Sequence, residues 1–332
     1  MERVARILDV KGGDAVTAVQ DVLWRLVEKG VAQALLVPLQ THPREAPAPT
    51  LIKKRERLSR ANPLAPVMPT NSAKIVALLL AQERDVVTQP QEDATSQRDV
   101  PQHQKRLAAV MRSCEARALV QDDAPLDELL LISVDCLDHE PDDYASRHLR
   151  RACQVCVQPY FDQADLTIGL FGQDMDQNVL LLAEASLAAQ LALCDKDDDA
   201  PQAALQRRQE AIQTLVAGRR HARDRLLDDI QRQTAGLAGL LALFGPCTLC
   251  GQCQEACPLP RPFDVDAHED NTPAYVSARL LHLAQRADSC VACGACEAAC
   301  HLALPLMRLT RLFAERAQLC QPLITALSEQ IP

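Results

Sequence analysis

The first half of the chain contains both apolar residues at helical spacing and short, nearly continuous apolar runs. Apolar residues at helical spacing run from 14 to 30 and stop at Gly30, which predicts a helix. The next stretch, 31–39, is typical of a buried strand. Three more short apolar runs are bounded by polar or turn residues and cover 106–114, 128–136 and 164–172. Runs of this kind are typical of parallel strands buried on both faces, so the pattern predicts an α/β domain.

The pattern changes in the second half. From about 176 to 243 the apolar positions follow a helical period, and the polar stretch 195–202 divides this region into two predicted helices. The second of these helices is densely charged, as expected of a solvated connector. Amphipathic helices are also predicted at 274–289 and 305–319.

Composition and charge exclude several classes of function. The 332 residues are 48% hydrophobic and 24% charged, which is typical of a globular chain with a sizeable core. Asp and Glu (44) outnumber Lys and Arg (35), and aromatic residues make up only 3%. The sequence therefore shows neither the charge nor the stacking residues of a nucleic-acid-binding protein. Because it begins with no secretory signal and its most apolar runs, 180–194 and 235–247, are short or interrupted, we expect a cytoplasmic protein without membrane insertion.

Eight of the fourteen cysteines lie in two short runs, 247–257 and 290–300. Both runs have the spacing C-x-x-C-x-x-C-x-x-x-C of bacterial ferredoxins, in which three close thiolates hold one 4Fe-4S cluster and the fourth ligates the other cluster. Pro258 follows the first run, as in ferredoxins, whereas His301 follows the second. The spacing therefore predicts two crossed ligand sets. They are Cys247, Cys250, Cys253 and Cys300 for the first cluster, and Cys290, Cys293, Cys296 and Cys257 for the second.

Zinc is the alternative for these two runs, because all-cysteine zinc sites also use C-x-x-C pairs. Such sites usually separate their two pairs by a loop, whereas here four cysteines fall within eleven residues. Gly251 and Gly294 follow the second cysteine of each run, where a side chain would crowd the loop. The spacing favours iron–sulfur clusters over zinc.

Four of the six remaining cysteines lie in the predicted α/β domain. Cys114 and Cys136 are predicted at the ends of neighbouring strands, and Cys153 and Cys156 form a C-x-x-C pair. A single C-x-x-C is compatible with a zinc half-site, a redox pair or two core thiols. Strand ends of an α/β sheet converge on one edge, so the four together favour a third 4Fe-4S site. The remaining two lie on predicted helices and are expected to be buried: Cys194 and Cys320.

Three stretches resemble a known family. They are RSCEARALV at 112–120, VDCL at 134–137, and the C-x-x-C followed by ADLTIGLFG within 153–172. They are similar to the beta subunits of coenzyme F-420-dependent hydrogenases and formate dehydrogenases, as is the stretch 61–74. The resemblance implies that Cys114, Cys136, Cys153 and Cys156 ligate the third cluster, that FAD is a candidate cofactor of the α/β domain, and that the chain is one subunit of a larger redox complex.

Two functions follow from these expectations. The first is electron transfer between a carrier and a catalytic partner of the formate dehydrogenase, hydrogenase or heterodisulfide-reductase type, with no catalytic residue in this chain. The alternative is an FAD-containing oxidoreductase subunit that splits a hydride from coenzyme F-420 or a nicotinamide into single electrons. No Gly-rich phosphate loop is visible, so the sequence identifies no flavin-binding residue. A third hypothesis is an interaction protein that is stabilised by zinc and has no redox function.

The expected architecture has three parts. An α/β domain occupies 1–175 and carries the third cluster, a helical connector occupies 176–243, and an α-helical ferredoxin-type domain with two clusters occupies 244–332.

Overall fold

The chain forms two compact units in the computed structural model. The first comprises Met1–His148 and Gln158–Leu215, and the second comprises Leu149–Val157 and Val216–Pro332. The described residues are 2–10, 12, 14–39, 48–65, 73–76, 79, 105–121, 126–137, 150–193, 199–259 and 273–329.

The first unit is built on a seven-stranded mixed sheet with the order β1-β7-β6-β5-β4-β2-β3. Strands β2, β4, β5 and β6 run parallel, whereas β1, β7 and β3 pair antiparallel with their neighbours. The strand bounds are β1 Arg3–Asp9, β2 Ala32–Leu39, β3 Ala48–Ile52, β4 Lys105–Arg112, β5 Leu129–Val134, β6 Leu166–Gly169 and β7 Asn178–Glu184. The sheet and its helices confirm the predicted α/β class.

Helices cover both faces of this sheet. Within β2, Leu35 belongs to the apolar core that contains the helix Ala15–Glu28, whereas Leu36 belongs to the core that contains the helix Ser113–Gln121. Successive side chains of a strand point to opposite faces, so the near-continuous apolar runs reflect burial on both sides. The helices with residues in this unit are α1 Ala15–Glu28, α2 Arg55–Leu58, α3 Ser113–Gln121, α5 Ala185–Gln190 and α6 Ala200–Gln233, with a 3₁₀ turn at Leu126–Glu128.

Local sequence explains the bounds of α1. The Asp14 carboxylate accepts a hydrogen bond from the Thr17 N–H at 3.1 Å, which caps a donor that the first turn would leave unpaired. After the helix, Gly30 adopts a left-handed backbone with φ 69°. The prediction of a helix over 14–30 is therefore accurate to about two residues at each end.

Two predictions of secondary structure were wrong. Residues 178–184 form strand β7 rather than helix, because an apolar run covered on both faces shows no strand alternation and resembles a buried helix. The strand predicted for 106–114 ends at Arg112, and helix α3 begins at Ser113. Cys114 therefore lies in the first turn of a helix.

The described residues of the second unit form helices and loops, without a strand. Its core contains Leu240, Phe244, Leu280 and Leu309 from three different helices. Besides the end of α6, the helices are α4 Arg151–Gln154, α7 Gly236–Phe244, α8 Gln252–Glu255, α9 Pro273–Gln285, α10 Ala295–Ala299, α11 Leu306–Glu315 and α12 Ala317–Ser328. The three-part division into 1–175, 176–243 and 244–332 stays a prediction.

In the described part of the chain, no helix has both the length and the apolar composition needed to cross a membrane.

Candidate metal centres

The two cysteine runs fold into loops with the same backbone pattern. In each loop, the residues directly before and after the second cysteine adopt left-handed backbone angles. These residues are Leu249 (φ 59°) and Gly251 (φ 75°) around Cys250, and Ala292 (φ 55°) and Gly294 (φ 68°) around Cys293. Each glycine then caps a short helix, α8 or α10, which carries the third cysteine of its run. The repeated spacing therefore produces a repeated three-dimensional loop.

All four cysteines of the first predicted set line one small cavity. Three come from the first run, and Cys300 comes from the end of the second. Cys247 and Cys253 are buried, whereas Cys250 is exposed. His301, which takes the place of the ferredoxin proline, lies beside this cavity with its Nδ1 3.8 Å from Cys250 Sγ. The other lining residues are Thr248, Gly251, Arg279, Leu302, Leu304 and Leu306.

These thiols influence one another electrostatically. Burial raises the pKa of Cys253, the neighbouring Arg279 guanidinium lowers it, and Cys247, Cys300 and Cys250 raise it further. Like charges disfavour one another at short range, so the ionised forms of these thiols compete. A cationic metal cluster would relieve that competition by binding the thiolates.

The thiols of the second predicted set also influence one another, and burial is the main cause of their raised pKa values. Burial raises the pKa of Cys293 to about 12, and Cys257 and Cys290 add to this rise against the influence of Arg150. Burial also raises the pKa of Cys296 well above its ordinary value, with further increases from Cys293, Cys290 and Cys257. Cys257 thus acts on thiols of the other run.

Backbone amides of the second loop point at its sulfurs. The Ala292 N–H donates to Cys290 Sγ at 3.4 Å, and a backbone N–H bond from Ala295 lowers the pKa of Cys293. Amide donors to sulfur are one of the means by which proteins stabilise iron–sulfur clusters. Four-thiol sets with such donors fit a cluster chemically. The described residues contain no group of three or more His, Cys, Asp or Glu side chains arranged around a single metal ion.

Sequence reasoning missed the arginines beside these loops. Arg279 Nη2 donates to Cys253 Sγ at 2.7 Å, Arg150 Nη1 donates to the Cys293 carbonyl at 3.3 Å, and Arg311 Nη1 donates to the Cys290 carbonyl at 3.2 Å. The sequence does contain a signal for Arg279, a charged residue on the apolar face of a helix. Arg279 lies on the same face of α9 as the apolar Val276 and Leu283, three residues before and four residues after it, where an apolar side chain would be usual.

The four cysteines of the third predicted set are divided between the two units. Cys136 follows β5, and its Sγ lies 3.7 Å from Ser113 Oγ in the first unit, which also contains Cys114. Cys153 and Cys156 lie in the second unit, on and directly after α4. Ligation of a third cluster by these four stays a prediction, as does FAD.

The remaining two cysteines have different outcomes. Cys320 is buried in α12, as expected of an apolar packing residue, and its Sγ lies 3.8 Å from the Leu312 carbonyl oxygen. Cys194 lies outside the described residues.

The two loop glycines provide a matched test of the local packing. A Cβ at position 294 would lie 2.5 Å from the Ala152 Cβ, whereas at position 251 the nearest atom would be 3.8 Å away. Both glycines have positive φ, so alanine should cost about 1–2 kcal/mol at either position. Gly294→Ala should cost about 1–3 kcal/mol more because of the overlap. Urea denaturation of the two variants measures the difference, and equal losses would contradict the packing around Ala152.

The chain was compared with protein families, curated proteins and solved structures. No protein-family model matches the chain, and no curated protein is similar to it in sequence. Among solved structures, the chain is similar to one from the xenon-derivatised F420-reducing [NiFe] hydrogenase complex of Methanosarcina barkeri. The identity is 10%, the TM-score is 0.48, and the match covers 68% of this chain and 92% of the other. At this identity and score the likeness does not assign a function to the chain.

Proposed function

We propose that this chain is an iron–sulfur electron-transfer subunit of a multi-subunit redox complex. The observation that carries the proposal is the cavity lined by Cys247, Cys250, Cys253 and Cys300. Three closely spaced cysteines and one distant cysteine around one cavity is the ligand arrangement that a two-cluster ferredoxin uses. The complementary set is Cys290, Cys293, Cys296 and Cys257.

The residues of the chain have three tasks in this function. The thiols hold the clusters, the loop amides and arginines donate hydrogen bonds near the sulfurs, and the apolar helices keep water away. When bound, each 4Fe-4S cluster supplies a site that accepts and releases one electron. Apolar contacts from Leu304 and Leu306 border the first cavity, and burial dominates around Cys293 and Cys296. Solvent access and hydrogen bonding to sulfur set the reduction potential of such a site.

The closeness of the two sets also supports a relay. Cys253 of the first set contributes to the raised pKa of Cys296 in the second set. Helices α8 and α10, which carry these two cysteines, pack against each other. Electron transfer from one set to the other would then cover a short distance.

The partners follow from the family resemblance of the sequence. We propose a catalytic redox subunit of the formate dehydrogenase, hydrogenase or heterodisulfide-reductase type as electron donor or acceptor, in the cytoplasm. In this proposal Cys114, Cys136, Cys153 and Cys156 ligate a third cluster. Flavin at the α/β domain would make the subunit a hydride-splitting enzyme. A visible spectrum of the supernatant after denaturation distinguishes the two functions, because released flavin absorbs there.

Metal analysis of anaerobically purified protein tests the proposal. Counting four irons per cluster, we expect about eight iron and eight sulfide per chain for two clusters, and about twelve of each if the third set is filled. Electron paramagnetic resonance after reduction should show interacting paramagnetic clusters. Zinc in place of iron, in protein that is also silent by resonance after anaerobic reconstitution, would contradict the proposal and favour an interaction protein.

A further inference from the structure

Arg279 is a buried cation in direct contact with a predicted cluster ligand. Its exposed fraction is 6%, it lies on α9 between the two cysteine runs, and its Nη2 donates to Cys253 Sγ at 2.7 Å. The same side chain lines the cavity that the first cysteine set surrounds. In the part of the chain that the structure describes, no carboxylate forms an ion pair with Arg279. Its positive charge therefore acts directly on the sulfur.

The second cysteine set is surrounded differently. Arg150 and Arg311 donate to the carbonyl oxygens of Cys293 and Cys290 rather than to sulfur. Arg311 also pairs with Glu315 at 2.8 Å, and Arg223 pairs with the same carboxylate. Glu315 therefore offsets one of these positive charges. Against the effect of burial, Arg150 still lowers the pKa of Cys293, and Arg311 and Arg223 lower that of Cys290, without donating to either sulfur.

The comparison is clearest between the third cysteines of the two runs, which occupy the same place in the repeated loop. Cys253 receives a hydrogen bond from Arg279, whereas Cys296 is influenced by burial and by the neighbouring thiols Cys293, Cys290 and Cys257. The two loops share their backbone but not their electrostatic environment.

This asymmetry has a predictable effect on electron affinity. Reduction adds one negative charge to a cluster, and that charge spreads onto the ligand sulfurs. A buried cation that donates to a ligand sulfur stabilises the reduced form more than the oxidised form, because electrostatic interactions strengthen in a low-dielectric interior. Hydrogen bonds to sulfur and net charge are established determinants of cluster potential.

We infer that Arg279 raises the reduction potential of the cluster held by Cys247, Cys250, Cys253 and Cys300 above that of its neighbour. The first cluster is then the one that fills with an electron first, and the second is the stronger reductant. This inference rests on the proposed function, since it requires both clusters. It adds an order to the relay and assigns that order to one side chain.

Redox titration monitored by electron paramagnetic resonance tests the inference on the full-length protein. We compare the unaltered protein with Arg279→Met, Arg279→Gln and Arg279→Lys. In Arg279→Met, the ratio of reduced to oxidised first cluster at a fixed potential should fall at least tenfold, which is about 59 mV for one electron. The glutamine keeps an N–H donor without charge. The reduction potential of the first cluster in Arg279→Gln should therefore lie between those in Arg279→Met and Arg279→Lys. The second cluster should titrate as before in all three variants.

Two control variants establish that the shift is specific to Arg279 and that it belongs to the first cluster. Arg232→Met removes the same charge from an exposed position on α6 and should leave both potentials unchanged. Cys293→Ala should remove the second cluster, so that the signal that remains identifies the first. Combining Arg279→Met with Cys293→Ala should shift that remaining signal.

The outcomes separate this inference from the proposed function. If the unaltered protein binds no iron, the proposed function fails before any variant is made. If both clusters form and Arg279→Met titrates like the unaltered protein, the inference is overturned and the proposed function stands. If Arg279→Met loses its iron, the Gln and Lys variants decide, because equal potentials in those two variants would overturn a role for the charge.

Discussion

Replacing Arg208 by Met should lower the free energy of unfolding of the first unit by about 3–5 kcal/mol, the usual cost of removing one partner of a buried ion pair. The Arg208 side chain is 4% exposed, and the carboxylate of Asp135 is 0% exposed. The guanidinium forms a two-pronged contact with it, Nε to Oδ2 and Nη2 to Oδ1, both at 2.8 Å. The methionine would leave the Asp135 carboxyl buried without its cation.

The remaining contacts of Asp135 cannot replace this arginine. Burial raises the pKa of the Asp135 carboxyl, while the hydrogen bond from Arg208, the charge of Arg208 and the Leu170 N–H lower it. Without the guanidinium, two of these three lowering influences disappear and the carboxyl is expected to take up a proton in the folded state. The variant would therefore lose stability most at high pH, where protonation of this carboxyl is least favourable.

Hydrogen exchange of the buried amides in β5 and β6 measures this loss for the first unit alone. Arg207→Met is the matched control, because Arg207 is the exposed neighbour on the same helix and its loss should change stability by less than about 0.5 kcal/mol. The double variant Asp135→Asn with Arg208→Met should recover part of the stability, because it leaves no buried charge. Equal protection in the Arg208 and Arg207 variants would show that the ion pair contributes nothing.

The second large effect concerns the crossed ligand sets. Cys257→Ala and Cys293→Ala should each remove about four irons from the anaerobically purified protein, and the double variant should lose no more than either single variant. Both residues belong to the second predicted set, although Cys257 lies in the first run. Cys257 follows α8, and α8 packs against α10, the helix that begins two residues after Cys293.

A second double variant makes this test decisive. Cys257→Ala combined with Cys250→Ala should remove about eight irons, because these two cysteines of the same run belong to different sets. Cys320→Ala is the control, since this buried thiol belongs to neither set and its loss should leave the iron content unchanged. If Cys257→Ala and Cys250→Ala instead deplete the same four irons, each run holds its own cluster and the crossed arrangement is wrong.

The sequence pattern predicted the centre of the sheet better than its edges. Strands β2, β4, β5 and β6 carry continuous apolar runs because both faces are covered. Strand β1 was missed, since most of its residues are half-buried and no contrast between faces marks it. Strand β3 contains Pro49, which argues against a central strand but is tolerated at an edge.

The candidate site was predictable only as far as spacing carries information. Cysteine spacing marked the two runs that fold into repeated loops, and the four thiols of the first predicted set line one cavity, while their ligation of a cluster stays a prediction. It contained no information on which arginine packs against which sulfur, because Arg279 reaches Cys253 from another helix. The contact between Arg208 and Asp135 joins residues 73 positions apart, and no local pattern marks a pair at that distance.

The position of Cys300 beside Cys247 has a consequence for biosynthesis. The ribosome makes Cys247, Cys250 and Cys253 before Cys300, so the cavity they share lacks its last thiol until Cys300 has been translated. In the proposed crossed sets, a nascent chain ending before Cys290 can complete neither cluster. The thiols of the first run thus remain without their final partner during synthesis, so iron delivery to the first cluster should follow translation of the second cysteine run.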